Sequence, residues 1–247
     1  MTYCVGIMLE AGMVFASDSR TNAGVDQIAS FRKMQVYERP EDRVIVITSS
    51  GNLSISQNTI GLIEQAARRN DGSPNIWNAS SMFEVATLFG DCLRQVRERD
   101  SPYMKQTNVD SSANMIIGGQ IRGEAQRMFM VYSEGNFIEA GTLMPFFQIG
   151  ETKYGRPILD RVIKGDTTLT EAAKCTLVSF DSTMRSNISV GMPIDLVILP
   201  NNRLRVALQR RIVETDPYFS MLHQEWGEGL RRVFAQLPDP DWRLENG

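Results

Sequence analysis

Histidine and cysteine are the scarcest reactive residues of this 247-residue chain, with one His and three Cys. A Ser-His-Asp or Cys-His hydrolase would have to recruit His223, and nothing in Leu222-His223-Gln224 marks a site, so a surface or helix position is the simpler reading. Cys4, Cys92 and Cys175 are odd in number and widely spaced, with no Cys-x-x-Cys pair, which speaks against a disulfide framework and against zinc. No glycine loop followed by Lys-Ser or Lys-Thr is present, so any ATP-driven unfolding must come from a separate protein. No stretch approaches a membrane span, and the N-terminus lacks a basic segment followed by an apolar core. A cytoplasmic protein without a membrane partner is expected. With 26 Lys and Arg against 29 Asp and Glu and no long basic stripe, the electrostatic footprint of a nucleic-acid binder is missing, and no nucleic acid is expected as partner. Internal repeats and low-complexity segments are absent as well.

What is present begins at the first residues. Thr2-Tyr3-Cys4-Val5-Gly6-Ile7-Met8-Leu9 alternates like a strand, Glu10-Ala11-Gly12 supplies turn chemistry, and Met13-Val14-Phe15-Ala16-Ser17-Asp18-Ser19-Arg20 runs back. A turn centred on Ala11 pairs residues whose numbers sum to about 22. Residue 18 then faces residue 4 and residue 20 faces residue 2, which puts Thr2, Cys4, Asp18 and Arg20 on one face. Removal of Met1 ahead of the small Thr2 would leave a hydroxyl beside a free α-amine, whose ordinary pKa of about 7.7–8.0 leaves a useful fraction neutral near pH 7. That amine can take the hydroxyl proton directly or through one water, so nucleophilic catalysis here needs no histidine. Lys33, in Ser30-Phe31-Arg32-Lys33-Met34, is the candidate lysine to stabilise the alkoxide and hold the amine neutral. Cys4 is the rival nucleophile on that face, but without an assigned base it reads as a small strand residue.

Thr2, the run Ala16-Ser17-Asp18-Ser19-Arg20-Thr21-Asn22-Ala23-Gly24, Lys33 and the small-residue turn Thr48-Ser49-Ser50-Gly51-Asn52 together resemble the proteasome β-subunit family of threonine peptidases. The resemblance covers nearly the whole chain. Two later stretches, Ile149-Gly150-Glu151-Thr152-Lys153-Tyr154-Gly155 and Ser186-Asn187-Ile188-Ser189-Val190-Gly191-Met192-Pro193, look like its bacterial proteasome-like branch rather than the mainstream proteasome. It implies an N-terminal-nucleophile hydrolase acting on peptides or unfolded protein, with Thr2 as nucleophile and base, Asp18 positioning Lys33, and the backbone around Ser50 and Gly51 receiving the oxyanion. It implies no cofactor and no metal, and a homo-oligomer that is a closed ring or an open helical assembly. Ser50 stands where the family usually has the first glycine of a pair, which leaves a main-chain donor intact but narrows the adjoining pocket. The supporting groups depart further. Ser189 matches one family serine, Ser186 occupies the position of an aspartate, and Gly150-Glu151-Thr152 replaces Gly-Ser-Gly. Glu151 is open as a carboxylate near the amine, with an exposed loop glutamate as the plainer reading.

Along the rest of the chain, Met34–Tyr37 and Val44–Thr48 read as strands, and about Leu53 to Arg69 and about Ser81 to Arg99 as amphipathic helices. A meander follows at Ala113–Gln120, Arg127–Tyr132 and Phe137–Ala140, and Phe146–Gly150 reads as another short strand. Helices are expected around Ile158 to Val162 and from a capped start at Thr168-Leu169-Thr170-Glu171 to about Met184. Ile194–Leu199 and Arg203–Leu208 then read as a closing hairpin. Strands, two helices, strands, two helices, strands: this α+β order suits two antiparallel sheets face to face with a helix pair on each outer side. That four-layer αββα sandwich is the N-terminal-nucleophile hydrolase fold the resemblance implies. The length suits one domain burying roughly three quarters of its unfolded surface, with a core over residues 2–210 and a C-terminal helical extension and tail over 211–247. The extension offers Tyr218, Phe219, Trp226, Phe234 and Trp242 either for assembly or for covering its own subunit. Two alternatives to peptide hydrolysis stay open: cleavage or transfer of a small nonprotein amide, and a catalytically weak self-assembling scaffold that binds peptides.

Overall fold

A computed structural model describes residues 2–22, 28–69 and 71–241. Met1, the Ala23-Gly24 end of the family-like run, and Trp242 lie outside the described residues. Strands β1 (Tyr3–Leu9) and β2 (Gly12–Asp18) make the expected hairpin, but with a different register. Leu9 pairs with Gly12 and Cys4 with Ser17, so partners sum to 21. The physical reason is a two-residue turn, Glu10-Ala11, in place of a turn centred on one residue. Gly12 makes it possible: its φ is +141°, and a Cβ there would lie 2.1 Å from Leu199 O. Because a slip of one inverts parity, the expectation that Thr2, Cys4, Asp18 and Arg20 share one face is corrected. Asp18 reaches the start of β1 by another route, given below.

A small ribbon, β3 (Arg20–Asn22) with β4 (Ile28–Ser30), leads to β5 (Met34–Arg39) and β6 (Arg43–Gly51). Strand β6 carries Ser49, Ser50 and Gly51 within it, so only Asn52 separates it from α1 (Leu53–Arg68). The second helix, α2 (Met82–Gln106), runs beyond the expected end at Arg99, through Pro102, to a close at Thr107 and Asn108. Asn108 takes a φ of 55°, which turns the chain away from the helix path. Strands β7 (Ala113–Ile121), β8 (Arg127–Val131), β9 (Phe137–Glu139) and β10 (Phe146–Gly150) follow as read. Helices α3 (Arg156–Val162) and α4 (Leu169–Ser186) come next, the latter opened by a capping box between Thr168 and Glu171. The closing hairpin pairs β11 (Ile194–Pro200) with β12 (Leu208–Ile212), not with Arg203–Leu208. Residues 203–207 instead form a loop that reaches β5, with Asn202 and Leu204 at positive φ, Val206 packed on the cluster between the sheets and its N–H donating to Glu38 Oε1 at 3.0 Å. Last is α5 (Pro217–Gln236), N-capped by Asp216.

Two five-stranded antiparallel sheets result, in the orders β10-β1-β2-β11-β12 and β5-β6-β7-β8-β9. Alternation sorts their side chains. Tyr3, Val5, Ile7, Val14 and Ala16 pack with Ala172, Leu177 and Phe180 of α4, and Ile45, Ile47, Met115 and Phe129 pack with Ile55 and Ile63 of α1 and Val85, Phe89 and Leu93 of α2. Cys4, Met13 and Phe15 of the first sheet join Val44, Val46, Ile116 and Met128 of the second in a third cluster. Phe15 fits there because Gly118 has no side chain: a Cβ on it would lie 2.6 Å from the Phe15 ring. Phe219 and Leu222 of α5 are buried against the first cluster, whereas Met221, Leu230, Val233 and Phe234 are exposed. No described helix is long and apolar enough to cross a membrane.

Candidate active site

The first strand ends its ladder at Cys4–Ser17, and Tyr3 N–H turns to a side chain: it donates to Asp18 Oδ1 at 3.0 Å. Asp18 thus caps the open end of β1 in the plane of the sheet, which parity did not foresee. Lys33 Nζ donates to the same Oδ1 at 2.8 Å and to Arg20 O at 2.6 Å. Lys33 comes from the turn before β5, so one ion pair ties the two sheets together beside Thr2. Both partners are sealed, Asp18 at 0% and Lys33 at 5% exposure. Burial raises the pKa of Asp18 above the ordinary carboxylate value, and the charge and hydrogen bond of Lys33, with the Tyr3 N–H, work against that rise.

Thr2 is held by its carbonyl. Gly150 pairs with Tyr3 at the end of β10 and turns with φ of +85°, where a Cβ would lie 1.9 Å from Thr2 O. The next residue, Glu151, donates its N–H to Thr2 O at 2.7 Å. Thr2 opens on a cavity of about 450 Å³ whose lining includes Lys33, Ser50, Gly51, Asp110, Ser112 and Asn114. Asp110 carries its negative charge readily there, because the Ser112 hydroxyl and then its N–H hold its carboxyl below the usual range.

Strand geometry places an N–H in that cavity. Asn52 N–H bonds Ser112 O towards β7, and Ser49 N–H bonds Lys33 O towards β5. Successive N–H groups point to opposite edges, so the Gly51 N–H points to the β5 side, beyond the point where β5 starts at Met34. Gly51 has φ of +95°, and a Cβ on it would lie 2.3 Å from Ser112 O. The amide groups of Ser54 and Ile55 in the first turn of α1 are taken by the Asn52 side chain, so the helix end serves its own cap. Ser50 is buried and lines the cavity, as its position next to Gly51 requires.

The structure therefore brings together Thr2, Asp18, Lys33, Ser50 and Gly51. Ser189 is half-buried and is not among the residues lining the cavity, and Ser186 is exposed and lines a separate groove of about 550 Å³. Glu151 is not an exposed loop residue but buried, its Oε2 accepting from Asn187 Nδ2 at 2.8 Å. Asn187 in turn accepts from Ser189 N–H at 2.9 Å, so Ser189 is linked to the loop over Thr2 through Asn187. Asn187 was missed in the sequence, where only its place between Ser186 and Ser189 hinted at it. Arg20 straps the same segment, donating Nη1 to Ile188 O at 2.9 Å with its guanidinium against Gly191. Cys4 is buried, its thiol pKa pushed up by burial and its Sγ donating to Ser49 O, which fits a packing role. His223 pairs with Asp181 in the separate groove. No cluster of His, Cys, Asp and Glu suited to a metal occurs among the described residues.

Solved structures match nearly the whole chain. Anbu (ancestral beta-subunit) from Yersinia bercovieri is 47% identical, with 98% of this chain and 100% of that one covered and a TM-score of 0.92. Anbu from Hyphomicrobium sp. strain MC1 is 46% identical over 98% of this chain and 100% of that one, with a TM-score of 0.90. A helical assembly of the Anbu complex from Pseudomonas aeruginosa is 44% identical over 97% and 98%, with a TM-score of 0.92. No family model and no curated protein matches the chain.

Proposed function

The chain belongs to the Anbu (ancestral beta-subunit) family of proteasome-like proteins, and on that premise we propose that it is an N-terminal threonine peptidase hydrolysing peptide bonds through an acyl-enzyme on Thr2 once Met1 is removed. The observation that carries the reading is the Lys33 ammonium, fixed between Asp18 Oδ1 and Arg20 O at the edge of the cavity that Thr2 and Gly51 line. Thr2 Oγ1 attacks the peptide carbonyl carbon while its proton passes to the α-amine. The oxyanion forms against the Gly51 N–H. Collapse breaks the C–N bond, and the ammonium returns its proton to the leaving nitrogen. Water then attacks the ester with the amine again as base, freeing the acid and Thr2. Lys33 stabilises the alkoxide and disfavours protonation of the amine by like charge; Asp18 fixes Lys33.

We read the three apolar clusters as the interior of a four-layer αββα sandwich within one domain over residues 1–247, with 2–210 as the core and 211–247 as a C-terminal helix and tail; β12 carries the first sheet on to Ile212, just past that division. Self-assembly into a ring or open helix fits the helical assembly of the Pseudomonas aeruginosa relative and the exposed apolar residues of α5. Peptides or unfolded protein are the substrates proposed, in the cytoplasm, fed by a separate ATPase if unfolding is needed. Intact mass spectrometry before and after excess of a threonine-directed β-lactone tests the chemistry. A chain lacking Met1 that gains one adduct, absent from Thr2→Ala, is the expected result. A chain lacking Met1 that stays unlabelled would overturn the reading in favour of a scaffold.

A further inference from the structure

Glu151 is a buried carboxylate beside the nucleophile that the proposed mechanism leaves without work. Its main chain already touches Thr2, through the 2.7 Å bond to Thr2 O that Gly150 alone permits. Its side chain is fixed separately: Oε2 accepts from Asn187 Nδ2 at 2.8 Å, and Oε1 faces Lys153 N–H at 3.4 Å. Asn187 closes α4 as its C-terminal cap residue, with N–H donating to Thr183 O, and its Oδ1 takes Ser189 N–H. The last turn of a long buried helix therefore reaches across to the loop that pins Thr2. An unsupported surface glutamate would not be sealed to 7% exposure and given a dedicated amide donor.

We propose that Glu151, anchored by Asn187, is a positioning residue for Thr2: its N–H clamps the Thr2 carbonyl, and its carboxylate is a fixed anion that acts on the α-amine. This rests on the peptidase reading and deepens it. Charges of both signs stand around Thr2. Lys33, Arg20 and Asp110 line its cavity, Asp18 bonds Lys33 and the Tyr3 N–H, and Glu151, with its N–H on Thr2 O, stands across from Thr2 with Lys153 beside it in the loop after β10. Lys33 favours the neutral base, whereas Glu151 favours the ammonium that exists while the alkoxide attacks. Together they set the amine near the working pH, where a general base is most effective.

The test uses the full chain beginning at Thr2, as wild type, Glu151→Gln, Glu151→Ala and Asn187→Ala. Two readouts are taken from pH 5.5 to 9. One is the bimolecular rate constant of β-lactone acylation. The other is the pKa of the Thr2 α-amine from competitive trace acetylation read by mass spectrometry, which needs no reactive hydroxyl. Glu151→Gln keeps an oxygen for Asn187 and removes the charge, so the amine pKa falls by about half a unit or more and the acid limb of acylation moves down with it. Asn187→Ala and Glu151→Ala lower the acylation plateau by about tenfold through lost positioning. An amine pKa unchanged in Glu151→Gln, or plateaus within about twofold in both alanine variants, overturns the proposal. A wild type that does not react with the β-lactone sinks the peptidase reading, while the amine titration still decides whether Glu151 acts on Thr2.

Discussion

Among the described residues, Asp18 pairs with Lys33 and Asp181 with His223, and by residue type alone the histidine pair is the more conventional catalytic unit. Its Nδ1–Oδ1 distance is 2.5 Å, and Ser182 and Ser186 line the same groove, so serine, histidine and aspartate are all present. The geometry denies them a common task. Asp181 and Ser182 are consecutive on α4, so they point to different sides of the helix, and His223 is 54% exposed, where water competes for its proton. The Asp18–Lys33 pair is buried, its lysine lines the cavity of Thr2, and the pair is tied to the main chain at both ends, at Tyr3 N–H and Arg20 O. What separates the two corners is enclosure around Thr2, the nucleophile proposed above.

Lys33→Ala should break that contrast most strongly. It removes the cation that stabilises the alkoxide, and β-lactone acylation of Thr2 should fall about 10²–10³-fold. It also leaves Asp18 buried without its partner, so urea unfolding should report a loss of about 3–5 kcal/mol. An acylation rate within about tenfold of wild type would make the electrostatic role untenable. Gly51→Ala comes next. A methyl group placed 2.3 Å from Ser112 O at φ of +95° forces the β6–β7 edge apart and displaces the N–H assigned to the oxyanion. About 1–3 kcal/mol of stability should be lost, with acylation down about 10²-fold. A variant that unfolds like wild type but acylates slowly would show that the N–H matters beyond the fold; the reverse pattern would remove Gly51 from the chemistry.

The pH response sharpens the same contrast. Burial raises the pKa of Asp18, so the folded chain binds this proton more readily than the unfolded chain does. Between the unfolded value near 3.9 and the raised folded value, this group's contribution to stability therefore falls as pH rises. Function runs the other way: below the raised value Asp18 is neutral and Lys33 loses its anchor. Acylation, already falling as the Thr2 amine takes up its proton, should therefore show a second acid-side decline beginning above about pH 4, and Asp18→Asn should remove that second decline, leaving the amine's, while lowering the plateau about 10–10²-fold. Titrating acylation against pH in both proteins checks this, and an Asp18→Asn profile parallel to wild type would show that the limb belongs to another group.

Local signals in the chain were strong where elements carry their own boundaries. The capping box at Thr168 and Glu171 and the alternation of β1 and β2 could be read directly, whereas Asp18, Lys33, Ser50 and Gly51 were marked by the family resemblance together with their residue types. Register was not legible, because a turn on Glu10-Ala11 and a turn on Ala11 alone have the same composition and opposite parity. Asp18 came to the site regardless because it bonds beyond the ladder's end. The end of α2 lies beyond Arg99 because the helix runs on through Pro102, and β12 was misplaced since Leu204 and Val206 alternate like a strand while Leu204 takes a positive φ. Glu151 and Asn187 were obscured for a different reason. They are 36 residues apart, and only the return of β10 beside β1 and of α4 over the same corner brings them together.

His223→Gln should have the smallest effect, and that is its use. The histidine touches Asp181 from a half-exposed position, so an ion pair there contributes about 0–1 kcal/mol at most. Gln keeps a donor within reach of the buried Asp181 carboxylate, which avoids the larger cost of leaving it bare. Acylation of Thr2 should stay within about twofold of wild type and its pH profile should superimpose, because no residue of this groove lines the Thr2 cavity. The measurement is the same β-lactone titration, run beside Lys33→Ala. A fall of tenfold or more in His223→Gln with unchanged unfolding would mean that the groove between α4 and α5 is coupled to the nucleophile, and the link to examine would be the last turn of α4, where Ser186 opens on the groove and Asn187 holds Glu151.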